Sequence, residues 1–198
     1  MIDVKDVFKS FGDKIVLCGA SLKADGGIAA LMGESGSGKT TLLRVIASLE
    51  KADSGDVNVT GKTAVSFAEP RLFDRFRVLD NVTCVMPKEN GKAENEKRAW
   101  ELLRVLLPDG TEKLYPRELS SGMAARVSLA RALAYGAENV LLDEPLRALD
   151  EETKKAVIAL LKKELAGKSV LMITHDGGDA DALGARKYLL SDGKISEI

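Results

Sequence analysis

The segment GESGSGKT at 33–40 restricts the folds open to this chain more than any other stretch. It follows the apolar run IAALM (28–32) and opens the amphipathic stretch TTLLRVIAS. That order of strand, glycine-rich loop and helix fits G-x-x-x-x-G-K-[ST], in which loop N–H groups curl around phosphate oxygens and the helix N-terminus adds positive potential. A chance match in a chain of this length arises about once in a hundred sequences. On this pattern Gly33, Glu34, Ser35, Gly36, Ser37, Gly38, Lys39, Thr40 and Thr41 form a phosphate cradle. Lys39 supplies a point charge for the β- and γ-phosphates of a nucleoside triphosphate, and Thr40 offers its hydroxyl to Mg²⁺. The alternative, a glycine-rich turn with a surface lysine, leaves the strand–loop–helix order unexplained.

A second segment, NVLLDEP at 139–145, supplies two acids. Asp143 ends an apolar run, where a carboxylate can hold the metal through water. Glu144 alternates to the other side of the chain and is placed to position or deprotonate an attacking water. An acidic pair before a proline turn is common by itself; beside a phosphate loop it reads as hydrolytic machinery. His175, the only histidine, follows a third apolar run, VLMIT, in the sequence THD. A lone histidine is more often structural than catalytic. Here, however, it ends a buried strand, on the side where open α/β sheets gather ligands. A neutral imidazole there reaches the γ-phosphate or the attacking water.

The three apolar runs imply strands buried on both faces, hence a parallel sheet. Strands are expected at 2–7, 15–22, 28–32, 57–59, 63–67, 140–142, 170–174 and 188–190. Helices are expected at 38–48, 93–107, 122–135, 151–165 and 177–183. The early strands alternate and are joined by Gly and Asp turns, as in an antiparallel sheet. Residues 76–135 carry no strand of the buried type. The expected fold is therefore α/β, with a mixed central sheet, an antiparallel β subdomain and an inserted helical subdomain. It forms one domain over 1–198, with 1–75 and 136–198 as core and about 76–135 as the helical insert. In the helix at 93–107, Ala99, Leu102, Leu103, Leu106 and Leu107 have core spacing, and Trp100 is expected to pack rather than to carry a ligand.

With 29 Lys and Arg against 30 acids, the composition gives no push toward nucleic acid as a partner. Two cysteines, Cys18 and Cys84, lie far apart without CxxC spacing, so neither a disulfide framework nor structural zinc is expected. The start, MIDVKDVFKS, is unlike a secretory signal, and no apolar run approaches the roughly 20 residues of a membrane span. Among triphosphatases, a regulatory GTPase lacks its guanine-reading N-K-x-D here. A small kinase has no need of the LLDEP and THD pair, and a helicase motor lacks its basic or aromatic strand-binding face.

The chain resembles the ATP-binding cassette ATPases along essentially its whole length. GESGSGKT resembles that family's Walker A loop, VLLDEP its Walker B segment, LSSGM (119–123) its LSGGQ signature, ALD (148–150) its D-loop and THD its switch histidine. The resemblance implies that Phe11 stacks on adenine, that Asp150 belongs to the nucleotide site, and that Glu144 and His175 are catalytic. It also implies that Thr40 and Asp143 serve the metal. Two cassettes then close head to tail around two ATP molecules, Ser120 and Gly122 of one contacting the γ-phosphate held by the other. A helix opening at this turn with Ser120 or Ser121 as its N-cap is compatible with this, because a helix N-terminus binds anions. In such a cassette, Arg126 and Arg131 are left as surface or packing residues.

Two positions depart from the family pattern. Ser121 replaces the first signature glycine, which a serine tolerates at negative φ. Ala68, in SFAEPRLF, replaces the usual glutamine before E-P-R-L-F, and alanine has no polar side-chain atom with which to touch Mg²⁺ or water. A weakly hydrolysing cassette is therefore an alternative, as is one doing mechanical work other than transport. The main expectation is a cytoplasmic ATPase subunit, peripheral on the membrane's inner face, driving solute transport. Its partners would be separate transmembrane permease subunits, docked on 69–82 and the helical lobe, and a second cassette in a homodimer or heterodimer. A solute-binding protein would be reached through the permease, and no further C-terminal lobe is expected.

Overall fold

The computed structural model describes all 198 residues. The three apolar runs form strands whose residues are nearly all buried: β3 (Ile28–Met32), β6 (Asn139–Asp143) and β7 (Ser169–Ile173). They belong to a six-stranded sheet ordered β5-β6-β7-β3-β8-β9, in which β5 is Thr63–Ser66, β8 is Arg186–Ser191 and β9 is Lys194–Glu197. The pairs β6–β7, β7–β3 and β3–β8 are parallel and β8–β9 is antiparallel, so the sheet is mixed as expected. Leu31, Leu141, Leu142, Leu171 and Met172 are entirely out of water. Each such side chain contributes about 1.5–3 kcal/mol of burial energy.

A second sheet is three-stranded and antiparallel, in the order β2-β1-β4, with β1 at Ile2–Phe11, β2 at Lys14–Ala24 and β4 at Ser54–Val59. Strands β1 and β2 run further than the apolar alternation suggests. A left-handed Asp6 (φ 47°) and ladder irregularities interrupt the pleat of β1 and hide its second half from a period-two reading. The short β9 was not anticipated; its hairpin turns through Asp192 and Gly193, both at positive φ, as a two-residue turn requires.

The chain divides into two compact units. The first comprises 1–65, 138–144 and 165–198 and contains both sheets, helix α1 (Lys39–Ile46) and helix α6 (Gly177–Ala182). The second comprises 66–137 and 145–164 and is helical. It therefore begins earlier than position 76 and takes in α5 (Glu151–Glu164), which was expected in the core.

Within the second unit lie α2 (Val78–Thr83), α3 (Lys92–Leu106) and α4 (Ser121–Ala134). The predicted apolar face of α3 is buried, from Ala99 to Leu107. Arg98 of α3 is ion-paired with Glu164 of α5. Trp100 departs from expectation: it is 39% exposed and shares a surface groove of about 350 Å³ with Arg77, Leu79, Asp80, Glu112 and Lys113. Helix α2 was not anticipated because it is only six residues long and no side chain caps it. Asn81, fully buried, secures it: Nδ2 donates to the carbonyls of Phe73, Phe76 and Arg77 at 3.1, 3.1 and 3.2 Å, and Oδ1 accepts from the Phe73 N–H at 2.8 Å.

Candidate active site

The phosphate loop joins β3 to α1, and its shape depends on glycine. Gly38 caps α1 at φ 108°, where a Cβ would fall 2.8 Å from Val16 Cγ1 and 3.0 Å from the Val16 carbonyl. Gly33 has φ 145°, and a Cβ there would meet the Leu190 carbonyl at 2.5 Å. The loop backbone thus lies pressed against β2 and β8, leaving the solvent side to Glu34, Ser35 and Gly36, all exposed. Lys39 Nζ donates back into the loop, to the carbonyls of Gly33 (2.8 Å) and Glu34 (2.6 Å). Ser37 Oγ is buried without a hydrogen-bond partner, a polar atom that the loop itself leaves unsatisfied. Thr41 is half-buried in the first turn of α1.

Strands β6 and β7 place their C-terminal residues beside this loop. Thr40 Oγ1 donates to Asp143 Oδ2 at 3.1 Å. Asp143 is buried, and desolvation holds its carboxyl above the usual aspartate range; the Thr40 hydrogen bond works against that shift and the neighbouring Glu144 charge adds to it. Glu144 leaves the strand at φ 53°, a left-handed conformation unusual for glutamate, with its N–H donating to the Ile173 carbonyl at 3.0 Å. Strain of this kind concentrates at functional positions. The turn aims the Glu144 carboxylate at His175, whose Nδ1 lies 2.8 and 3.0 Å from Oε2 and Oε1. An ionised carboxylate only accepts, so Nδ1 carries a proton and a neutral His175 presents Nε2 as an acceptor. The ring is mostly exposed, its side chain 68% accessible.

Phe11, at the end of β1, is half-exposed and belongs to the same unit. The other three predicted residues, Ser120, Gly122 and Asp150, lie in the second unit. Ser120 is the N-cap of α4, its Oγ accepting from the Met123 N–H at 3.2 Å. Ser121 has no positive φ, so a serine fits there, and Gly122 has neither a positive φ nor an atom within 4 Å of where its Cβ would stand. Asp150 caps α5, its Oδ1 accepting from the Thr153 N–H at 2.9 Å, and that bond holds its carboxyl below the usual range. Of the two arginines on α4, Arg131 donates to the Arg71 carbonyl at 2.7 Å and stands 5.6 Å from the Phe73 ring, while Arg126 Nε is buried without a partner. Ala68 is exposed in the bend after β5. Sequence reasoning passed over Lys9, a charged residue buried on β1 in phase with Val7.

A loop of backbone donors, a lysine, a hydroxyl–carboxylate pair and a carboxylate–imidazole pair converge at the ends of parallel strands, which is the arrangement of P-loop nucleoside triphosphatases. Residues 20–147 match the family model described as ABC transporter. The aliphatic sulfonates import ATP-binding protein SsuB of Corynebacterium glutamicum is 46% identical, over 98% of this chain and 81% of that protein. The sulfate/thiosulfate import ATP-binding protein CysA of Xylella fastidiosa is 36% identical, over all of this chain and 62% of that one. Among solved structures, the dimeric post-hydrolysis state of the ATP-binding cassette MJ0796 bound to ADP and Pi superposes with a TM-score of 0.89 at 32% identity, over all of this chain and 98% of that one. The chain belongs to the ABC transporter family. It is an ATP-binding subunit and an ATPase that drives transport.

Proposed function

We propose that this cassette, peripheral on the cytoplasmic face of the membrane, powers uptake of a small sulfur oxyanion, an aliphatic sulfonate before sulfate, through separate transmembrane permease subunits. The substrate class rests on relatives 40–46% identical that are named for sulfonate import, against 34–37% for those named for sulfate and thiosulfate. The exposed groove beside Trp100, with Leu79 on its wall and Arg77 and Asp80 at hand, supports a permease contact near the expected 69–82 segment. No helix is long and apolar enough to cross a membrane, which fits a subunit whose channel is supplied by other chains.

The single observation that carries the hydrolytic reading is the Glu144–His175 pair beside the Thr40–Asp143 pair in one unit. Loop N–H groups and Lys39 hold the phosphates, the ammonium exchanging the Gly33 and Glu34 carbonyls for phosphate oxygens. Glu144 orients and deprotonates the attacking water. His175 fixes the Glu144 carboxylate and accepts a hydrogen bond at Nε2. Thr40 and Asp143 would hold Mg²⁺. No cluster of three acidic, His or Cys side chains is present, and Mg²⁺ characteristically takes only one or two carboxylates and completes its shell with phosphate and water. When bound, that ion neutralises charge on the β- and γ-phosphates. Phe11 stacks on the base. Ser120 and Gly122, the latter without any internal need for glycine, face the γ-phosphate of a second cassette, and Asp150 contributes near the dimer boundary. The dimeric state of the related cassette MJ0796 supports this assembly.

Glu144→Gln is expected to lower ATP turnover by at least about a hundredfold, the scale of a lost general base. ATP-dependent thermal stabilisation should persist and an ATP-bound dimer should accumulate in size-exclusion chromatography. Wild-type turnover in this variant would remove Glu144 from the reaction.

A further inference from the structure

Lys9 lies on β1 where the alternation calls for an apolar side chain, and only 8% of it is exposed. Its ammonium is anchored just beyond α1: to Glu50 Oε1 at 2.8 Å, to the Lys51 carbonyl at 2.8 Å and to Asp53 Oδ1 at 3.4 Å. Asp53 also accepts from the Ser10 N–H, at 2.6 Å, which ties the end of β1 to the same segment. Two residues along the strand, on the same face, is Phe11, and Lys9 Nζ stands 4.9 Å from its ring centroid. The Glu50 hydrogen bond raises the Lys9 ammonium above its ordinary range, so the cation persists at neutral pH.

We infer that Lys9 is a positioning residue for nucleotide-base recognition, bracing the Phe11 ring from behind so that its free face is presented to the adenine of ATP. This deepens the reading of Phe11 as the base-stacking residue and rests on it. A half-exposed phenylalanine at a strand end otherwise samples several rotamers, and a stacking ligand must select one of them. A cation held by three acceptors restricts the ring through its quadrupole before the ligand arrives.

The test compares ATP with inorganic tripolyphosphate, which offers phosphates without a base, in competition binding to wild type, Lys9→Met, Lys9→Arg and Phe11→Ala. Lys9→Met should weaken ATP about two- to fivefold, the scale of a half-exposed cation–π pair. Tripolyphosphate affinity should stay at the wild-type value, and Lys9→Arg should keep the wild-type ratio of the two affinities. Equal weakening of both ligands in Lys9→Met would reduce Lys9 to a structural anchor and overturn the proposal, as would unchanged ATP affinity. Phe11→Ala separates the two layers: if it leaves the ATP-to-tripolyphosphate ratio at wild type, the base does not stack on Phe11, and the reading beneath the proposal fails.

Discussion

Asn81 makes a quantitative test of how the helical unit is held. Its side chain has no contact with water and makes four hydrogen bonds, three from Nδ2 and one to Oδ1, all to backbone groups between Phe73 and Arg77. Nδ2 has two hydrogens for three carbonyls, so its contribution corresponds to roughly two full bonds; with the Oδ1 bond, Asn81→Ala should cost about 3 kcal/mol at roughly 1 kcal/mol per bond. Asn81→Asp is isosteric and keeps the acceptor for the Phe73 N–H, yet it should be worse, at least about 4 kcal/mol at neutral pH. It replaces the donor by an anion facing three carbonyl oxygens in a dry site. That carboxyl would have its folded-state pKa raised above the unfolded value. The loss should therefore be full above the folded pKa and largely recovered below the unfolded one, where a protonated carboxyl donates again. Urea denaturation of wild type, Asn81→Ala and Asn81→Asp at pH 7 and near pH 4 measures both terms. If Asn81→Asp lies within about 1 kcal/mol of wild type at pH 7, the network does not hold this segment.

Two further outcomes are expected. Asp143 carries a pKa raised above its ordinary 3.8 chiefly by burial, so its ionised form opposes folding. Asp143→Asn should raise the nucleotide-free melting temperature in EDTA at neutral pH, lose that advantage below pH 3.8, and abolish stabilisation by Mg²⁺ with ATP; an unchanged neutral-pH melting temperature would contradict the burial argument. Ala68→Gln should raise steady-state ATP turnover or its stimulation by the permease, and no change in either would show that this position does not limit the cycle.

The parts of the fold legible in the sequence were those with long-range burial. IAALM, NVLLD and SVLMI are apolar at consecutive positions because side chains on both faces of these strands are buried, and β3 begins and ends where the pattern places it. The phosphate loop, Asp143, Glu144 and His175 were legible because each sits at the end of such a strand. What escaped was held locally. Helix α2 depends on one buried amide rather than on periodicity, and β9 is short and mostly exposed beyond an Asp-Gly turn. Trp100 stands three residues before Leu103 and seven before Leu107, at the edge of the core stripe, which invited a packing reading; in the structure it is exposed and lines a surface groove. Lys9 was missed because an acceptor set spread over residues 50–53 has no signature in the strand that carries the lysine.

The left-handed backbone of Glu144 has an evolutionary consequence. At φ 53° the residues that sit most comfortably are glycine and asparagine, and a glutamate there gives up about 1 kcal/mol of conformational free energy. On the role proposed for Glu144, mutational drift at this position is therefore biased toward variants that fold better and hydrolyse ATP poorly. A lineage released from the need to turn over ATP would be expected to lose this carboxylate early while keeping its phosphate loop, and so to become a nucleotide-gated clamp rather than an unfolded remnant.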